Sequence, residues 1–480
     1  MIQALTKISK ETRALSRYMA RAMSRKLPAA VREKAKHHIL DTVAAMVSGS
    51  RLLPGRYAIA YVATLGGTRE AGVIGSRIVT SAANAALANG MLAHADETDD
   101  SHVSSHTHPG CNVVPAALAG AEKAHASGTQ FLRAVVLGYD VGCRLTKALD
   151  VDAFAAAFRS CHSYGGTFGA GAAAGSLLGL DETKARFLLS YCAQLASGCA
   201  SNVRDSEHIE KAFDFAGMPA NAGVLAATMV DAGFTGVDDV FSGERNFIDA
   251  YAPHPHPEAL AHQLGTHYEI MATNIKKWAV GSPAQAALDS MEWLMVTHSL
   301  DKNAIESITV QLPTRSARTV DNAPMPNINV QHLLALMLVD GGVSFASCHD
   351  AARMTDKTIR ALRAKIHVIP SAELMHAKPT RQAIVEVTTR DGRKLTKRTK
   401  RVRGTVDNPM TREEVVAKAR DLMIPILGAR RTDRLIAAIL DIEEMKDMTD
   451  LRRLLATAPP PPPLKSRAKS KAKSKGRKKS

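Results

Sequence analysis

The stretch VREKAKHHILDTVAAMVS, residues 31–48, decides the fold class of this chain. Val31, Ala35, His38, Ile39, Thr42, Val43 and Met46 recur at helical spacing and form one stripe. Pro28 stands just before it, where the first turn has no partner for the N–H that proline lacks. Residues 81–93, 113–126, 129–149, 167–178 and 220–232 repeat the style, with small apolar residues at helical period. Asp181, followed by Glu-Thr-Lys, is a candidate N-cap. From about Ile8 to Gly265 the chain therefore reads as Ala-rich helix. Aromatic residues make up only 4% of it, and small side chains let helix axes come close.

The texture changes after Gly265. Residues 268–273, 305–312, 365–369 and 384–389 are β-type runs. Asp391-Gly392, set between 383–390 and 394–400, predicts a hairpin with a type I′ turn, which needs positive φ. Residues 283–296 read as a helix among these strands. Helical pattern returns at Thr411, where Thr411 and Glu414 make a capping-box pattern, and persists to Leu455. The expectation is a mainly α fold: a large all-helical domain built from both chain ends, residues 1–265 and 405–456. A smaller α+β lid domain, 266–404, is inserted into it. Residues 457–480 hold a proline run and a Lys/Ser/Ala tail, too polar to bury a core and expected to be disordered.

The 480 residues carry 62 Lys plus Arg against 46 Asp plus Glu, a net charge of +16. Nine of the basic residues and no acid fall in 465–480, which leaves +7 for the other 464 residues. A nucleic-acid-binding body would carry its basic face through the fold. Weak polyanion binding is accordingly an expectation for the tail alone. The six cysteines show no CxxC spacing and no signal peptide precedes them, which points to free thiols in a reducing cytoplasm. No apolar run approaches the roughly 18 residues of a spanning helix, so no membrane partner is expected.

The densest polar cluster is LAHADETDDSHVSSHTHPG, residues 92–110, with four acids and four histidines. A metal site and a solvated acidic loop both compete for it. The favoured reading is a helix end running into a catalytic loop, since histidine titrates near neutrality and is the usual proton carrier. The segment CHSYGGTFGAG, residues 161–171, lacks the spacing of a nucleotide loop. Its glycines read as close backbone approach at a helix start, where free N–H groups suit an anion, with His162 as candidate site residue. EHIEKAFDFAGMPA, residues 207–220, places Lys211 before a small-residue helix, where it can bind a carboxylate or act as an acid. Lys276-Lys277-Trp278 offers two more cations near the expected seam between the domains.

These blocks, in this order, resemble the MmgE/PrpD family, whose members include lyases and epimerases such as 2-methylcitrate dehydratase and cis-aconitate decarboxylase. LPAAVREKAKHHILDTVAAMVSGS (27–50) is similar to the family's opening helix. AHADETDDSH (93–102), THPG (107–110) and VPAALAGAE (114–122) resemble its Asp-Asp and His-Pro signature. GTFGAGAAAGSLLGLD (166–181), KAFDFAGMPANAGVLAATMVDAGFTG (211–236), the 275–290 stretch and NVQHLLALMLVDG (329–341) resemble later blocks. The resemblance spans about residues 12–455. It implies an all-α domain from both chain ends with an α+β lid, a homodimer, and cofactor-free chemistry on a small polycarboxylate.

Carried over position by position, the signature aspartates fall on Asp99 and Asp100, and the hydroxyl after them on Ser101, where many members have Thr. The His-Pro histidine is His108, and His162 stands near the histidine before the Gly/Ala helix. The lysines are Lys211 and Lys276 or Lys277. Glu97, with Asp96 beside it, occupies an aspartate position, His332 a tyrosine position, and Gln285 a histidine-like position. The expected catalytic set is Glu97, Asp99, Ser101, His108, His162 and Lys211. The expected substrate-binding set is Asp96, Arg204, Lys276, Lys277 and His332, with no metal and no cofactor. A carboxylate–histidine pair would move the proton in a hydro-lyase acting on a citrate-like acid. A decarboxylase or epimerase on the same scaffold, or a non-catalytic ligand-binding protein, are the alternatives.

Overall fold

The computed structural model of the chain describes residues 8–461, and the expectations for the Lys-rich tail lie outside the described residues. The helix Ala29–Gly49 contains the quoted stretch. Its predicted stripe is buried throughout, and from His38 to Ser50 every residue is buried. The helix is thus amphipathic for its first turns and then enclosed on all sides, which a one-stripe reading understates.

Buried apolar side chains form two clusters. The first gathers residues from Leu15 to Ala279 and then resumes with Met410, Val415, Leu422 and onward to Leu455. The second gathers residues from Trp278 to Val402. The helix Arg412–Leu427 begins with the predicted capping box: Glu414 N–H donates to Thr411 Oγ1, and Thr411 N–H donates back to the Glu414 carboxylate at 2.7 Å. It lies along Ala29–Gly49, where Arg412 pairs with Glu33 and Lys418 Nζ sits 2.6 Å from Asp41 Oδ1. Both chain ends therefore share one core.

Helices Gly128–Ala148 and Cys161–Leu177 approach through four glycines. A Cβ on Gly142 would stand 2.6 Å from Gly165 O, and one on Gly169 2.6 Å from Gly138 O. These glycines lie in the helix interior, because the helix starts at Cys161, earlier than the predicted 167. Interior glycine costs about 1 kcal/mol of helix propensity, offset here by backbone contact.

The second cluster is built on a four-stranded sheet in the order Ile366–Ser371, Ile305–Pro313, Ala383–Thr389, Lys394–Thr399. The first pair is parallel and the other two are antiparallel. The hairpin forms where predicted, but with a different turn: only Gly392 has positive φ (83°), and Thr389 N–H donates to Arg393 O across three loop residues. The 268–273 run is a second correction. Glu269–Ala272 is a 3-10 turn, and only Thr273–Asn274 is extended. Helix side chains claim its backbone instead of a sheet: Glu269 N–H donates to Asp140, and Arg144 donates to His267 O. Thr273–Asn274 then pairs with Ser101–His102, which fixes the loop carrying the Asp and His residues. At the far end, Arg51 donates to Thr457 and Ala458 and Arg56 to Pro461, so residues 457–461 lie on the helical body.

Candidate active site

The polar loop after helix Ala82–Ala93 is almost wholly buried; residues 95–102 are all inside the protein. Every acid in it has a partner. Asp96 Oδ2 lies 2.9 Å from His349 Nε2, and Asp96 also accepts from Thr98 N–H and Oγ1–H. Glu97 forms an ion pair with Lys211, and its backbone carbonyl accepts from Lys276 Nζ at 2.6 Å. Asp99 Oδ2 lies 2.9 Å from His94 Nδ1 and 3.1 Å from His108 Nδ1, while Asp99 Oδ1 is 3.7 Å from Lys276 Nζ. Lys418, arriving from the C-terminal helix, donates to Thr98 O at 2.9 Å.

Burial works against these carboxylates, but cations win. Lys211, then His208, Lys276 and His94, hold Glu97 well below the usual carboxylate range. His94, His108 and Lys276 do the same for Asp99. His108 is pushed down, chiefly by burial, with Asp99 opposing and Lys276 adding to the fall. His162 is pushed well down by burial and by the neighbouring His108, His94 and Lys211. Both shifts favour the uncharged ring. Asp99 occupies His108 Nδ1, so Nε2 is the nitrogen left for a reacting molecule.

A cleft of about 590 Å³ opens between the two clusters. Segment 101–215, beside the first cluster, contributes Ser101, His102, His108, Arg159, His162 and Phe215, and segment 283–381, beside the second, contributes Pro313, Arg315, Thr319, Met375 and Arg381. His162 stacks on Phe215 with ring centroids 3.6 Å apart. Phe215 lies in a π-helical turn, Phe213–Gly217, that directly follows the short helix Ile209–Ala212 carrying Lys211; such turns often mark functional sites. Ser101 Oγ and His162 Nδ1 are buried without a protein partner and belong to cleft residues. His102 is pushed up to about 9 against its burial, by Cys143 and Glu269. Its nitrogens face Ser105 and Glu269, so it braces the loop.

The structure brings together Glu97, Asp99, Ser101, His108, His162, Lys211 and Lys276 from the expected set. Four others stand elsewhere. Asp96 is spent on His349 and Thr98 within the loop. Lys277 points to the outside, paired with Glu292 and lying 4.4 Å over the Trp278 ring. Arg204 is exposed at the end of the short turn Ala200–Arg204. His332 is buried in the second cluster's helix Val330–Asp340, and burial with Arg363 and Arg353 nearby pushes it down to about 4. Gln285 ties the 278–280 turn through hydrogen bonds to Trp278 and Val280. His208, His349, Lys418, Arg315 and Arg381 were missed. His208 lies inside the quoted 207–220 block, whereas the other four stand alone in unremarkable sequence.

His94, Glu97 and His208 bring ligand atoms within 4.8 Å of one another, as do His94, Asp99 and Cys111. In each group the carboxylate already faces a lysine, and that positive charge opposes a metal cation.

Residues 13–260 match the family model of the MmgE/PrpD N-terminal domain, and residues 278–444 that of the MmgE/PrpD C-terminal domain. The chain is 25% identical over 468 residues to the cis-aconitate decarboxylase-like protein oryM of Aspergillus oryzae, covering 90% of this chain and 94% of that protein. It is 26% identical over 405 residues to cis-aconitate decarboxylase of Homo sapiens, covering 78% and 80%. Against cis-aconitate decarboxylase of Aspergillus terreus it is 23% identical, covering 89% and 92%.

Proposed function

The chain belongs to the MmgE/PrpD family, and from that premise we propose that it is a cofactor-independent lyase acting on a small citrate-like polycarboxylate. One observation carries the reading: His108 faces a cleft while the buried carboxylate of Asp99 holds its other ring nitrogen at 3.1 Å. That pair moves a proton at a carbon next to a carboxylate, where the negative charge that develops spreads into the carboxylate. Asp99 stabilises the imidazolium that forms, and His162 on Phe215 bounds the site. A positioned acid or base of this kind contributes about 10²–10⁴-fold. The second cluster serves as the lid that excludes water from the step.

We place decarboxylation first, because the relatives above carry that name. The C–C bond to one carboxylate breaks, carbon dioxide leaves, and the electron pair stays on the carbon. Protonated His108 then supplies the proton and recovers one from water. Dehydration, which the motifs alone favour, is the second reading, and the downward shift of His108 and His162, which favours the form that accepts a proton, supports it. There His108 takes the C–H proton, the C–O bond on the neighbouring carbon breaks as the double bond forms, and the imidazolium gives its proton to the departing hydroxyl, which leaves as water.

Incubation with cis-aconitate, citrate and methylcitrate, followed by proton NMR and carbon dioxide measurement, tests both. The pH profile separates them. His108 is depressed below the ordinary histidine value of about 6.5. A rate that needs its protonated form climbs as pH falls below that value. A rate that needs the neutral form falls instead. Turnover of none of these acids, or full turnover by His108→Ala, defeats the reading.

A further inference from the structure

The two lysines of the expected site that turn inward are already matched inside the protein: Lys211 by Glu97, and Lys276 by Asp99 and the Glu97 carbonyl. Neither brings net positive charge to an incoming polyanion. The cleft instead holds three guanidinium groups, Arg159, Arg315 and Arg381. Arg159 is committed: it donates to Tyr251 O at 2.6 Å and lies over the rings of Phe154 and Tyr251. Arg315 and Arg381 have neither an ion pair nor a side-chain hydrogen bond among the described residues.

Arg315 lies in the first turn of the short helix Thr314–Val320, and Arg381 follows the helix Ala372–His376. Both bear on one point. His106, also on the cleft, is pushed down by burial and then by these two charges, with Asp152 opposing. Arg381 adopts φ 64°, a left-handed conformation that a side chain rarely takes without support from its surroundings. Burial alone pushes its guanidinium down from the ordinary value. Two like charges facing one cleft repel each other, and a ligand with two negative groups removes that cost. Guanidinium forks match carboxylates in bidentate geometry, which an ammonium does not.

We propose that Arg315 and Arg381 bind the non-reacting carboxylates of the substrate and select a di- or tricarboxylate over a monocarboxylate. Lys211 and Lys276 are then positioning residues that hold Glu97 and Asp99. The inference rests on the lyase reading for the reacting wall of the same cleft, so its test reads binding rather than turnover.

Calorimetric titration of the full chain with propane-1,2,3-tricarboxylate, which has neither a double bond nor a hydroxyl, measures this directly. Wild-type protein binds it more tightly than butyrate. Arg315→Gln and Arg381→Gln each weaken it roughly 10- to 100-fold, the range for a charge-assisted hydrogen bond, and leave butyrate affinity nearly unchanged. Arg381→Lys recovers part of the loss. Arg401→Gln, the same charge change on the outer surface, has no effect. Should Arg381→Gln fail to fold, Arg315→Gln on its exposed turn carries the test alone. Unchanged affinity in the folded arginine variants, or equal weakening by Arg401→Gln, overturns the inference. Arginine-dependent binding without turnover of any acid preserves it and defeats the lyase reading. Failure of wild type to bind any polycarboxylate defeats both.

Discussion

Asp99 and Asp100 are neighbours, both fully buried, and each lies 2.9 Å from a histidine Nδ1. Their surroundings separate them. Asp100 meets His38 and Tyr139 from two helices and accepts from Gly110 N–H at 3.0 Å. None of these partners lines the cleft. A side chain at Gly110 would put its Cβ 2.8 Å from Asp100 Oδ2, Thr42 Oγ1 and Tyr139 OH, so this knot tolerates only glycine there. Asp99 meets His94, His108 and Lys276, and His108 opens onto the cleft. One aspartate ties helices together; its neighbour bonds a histidine that lines the cleft. The two residues of the motif thus divide into a fastening half and a half that meets the cleft, the reacting half under the proposed function.

The largest expected effect falls on the reacting half. His108→Ala should lower kcat/KM by about 10²–10⁴-fold while the thermal midpoint changes little. Asp99→Asn should follow it in activity. The fastening half should respond in the other quantity: Asp100→Asn should cost on the order of 3–5 kcal/mol in denaturant unfolding, the range for breaking one side of a buried pair. Folded Asp100→Asn protein should retain turnover. Loss of turnover with an unchanged midpoint would erase the distinction between the two aspartates.

Acid sharpens it further. Burial holds His38 down at about 4, with Asp100 opposing. The unfolded ring titrates near 6.5. Because the folded value is the lower one, the neutral ring's contribution is complete above about pH 6.5 and is lost as pH falls toward 4. Melting temperatures measured across that window should fall, and His38→Gln should flatten the curve. Smaller contrasts follow. Lys276→Ala should reduce turnover strongly, whereas Lys277→Ala, on the outer surface, should leave it near wild type. Smallest of all, deleting residues after Pro463 should leave turnover untouched, and any low-salt retention on nucleic acid should vanish with it.

Much of the helical half was legible because its signals are local. The Ala29–Gly49 stripe, the Asp181 cap and the Thr411 capping box each lie within a few residues and appear in the structure. The Asp99–His108 pair was within reach of sequence for the same reason, since its members stand nine residues apart, whereas His94, in the same polar stretch, was not singled out. The 268–273 run misled because helix side chains, remote in sequence, took the backbone groups a strand would have used. Arg315 and Arg381 left no local signal; what sets them apart is that they line a cleft whose lining holds no acid.

The sequence by itself determined the helical period, the family, and the crowd of acids and histidines around residue 100. Each of these follows from residue types at short spacing. The tertiary structure alone decided which lysine turns inward, which aspartate meets the cleft histidine, and which cations stay free. Charge and burial depend on neighbours brought from residues 15–461, and a buried carboxylate acts through whichever cation the fold sets beside it.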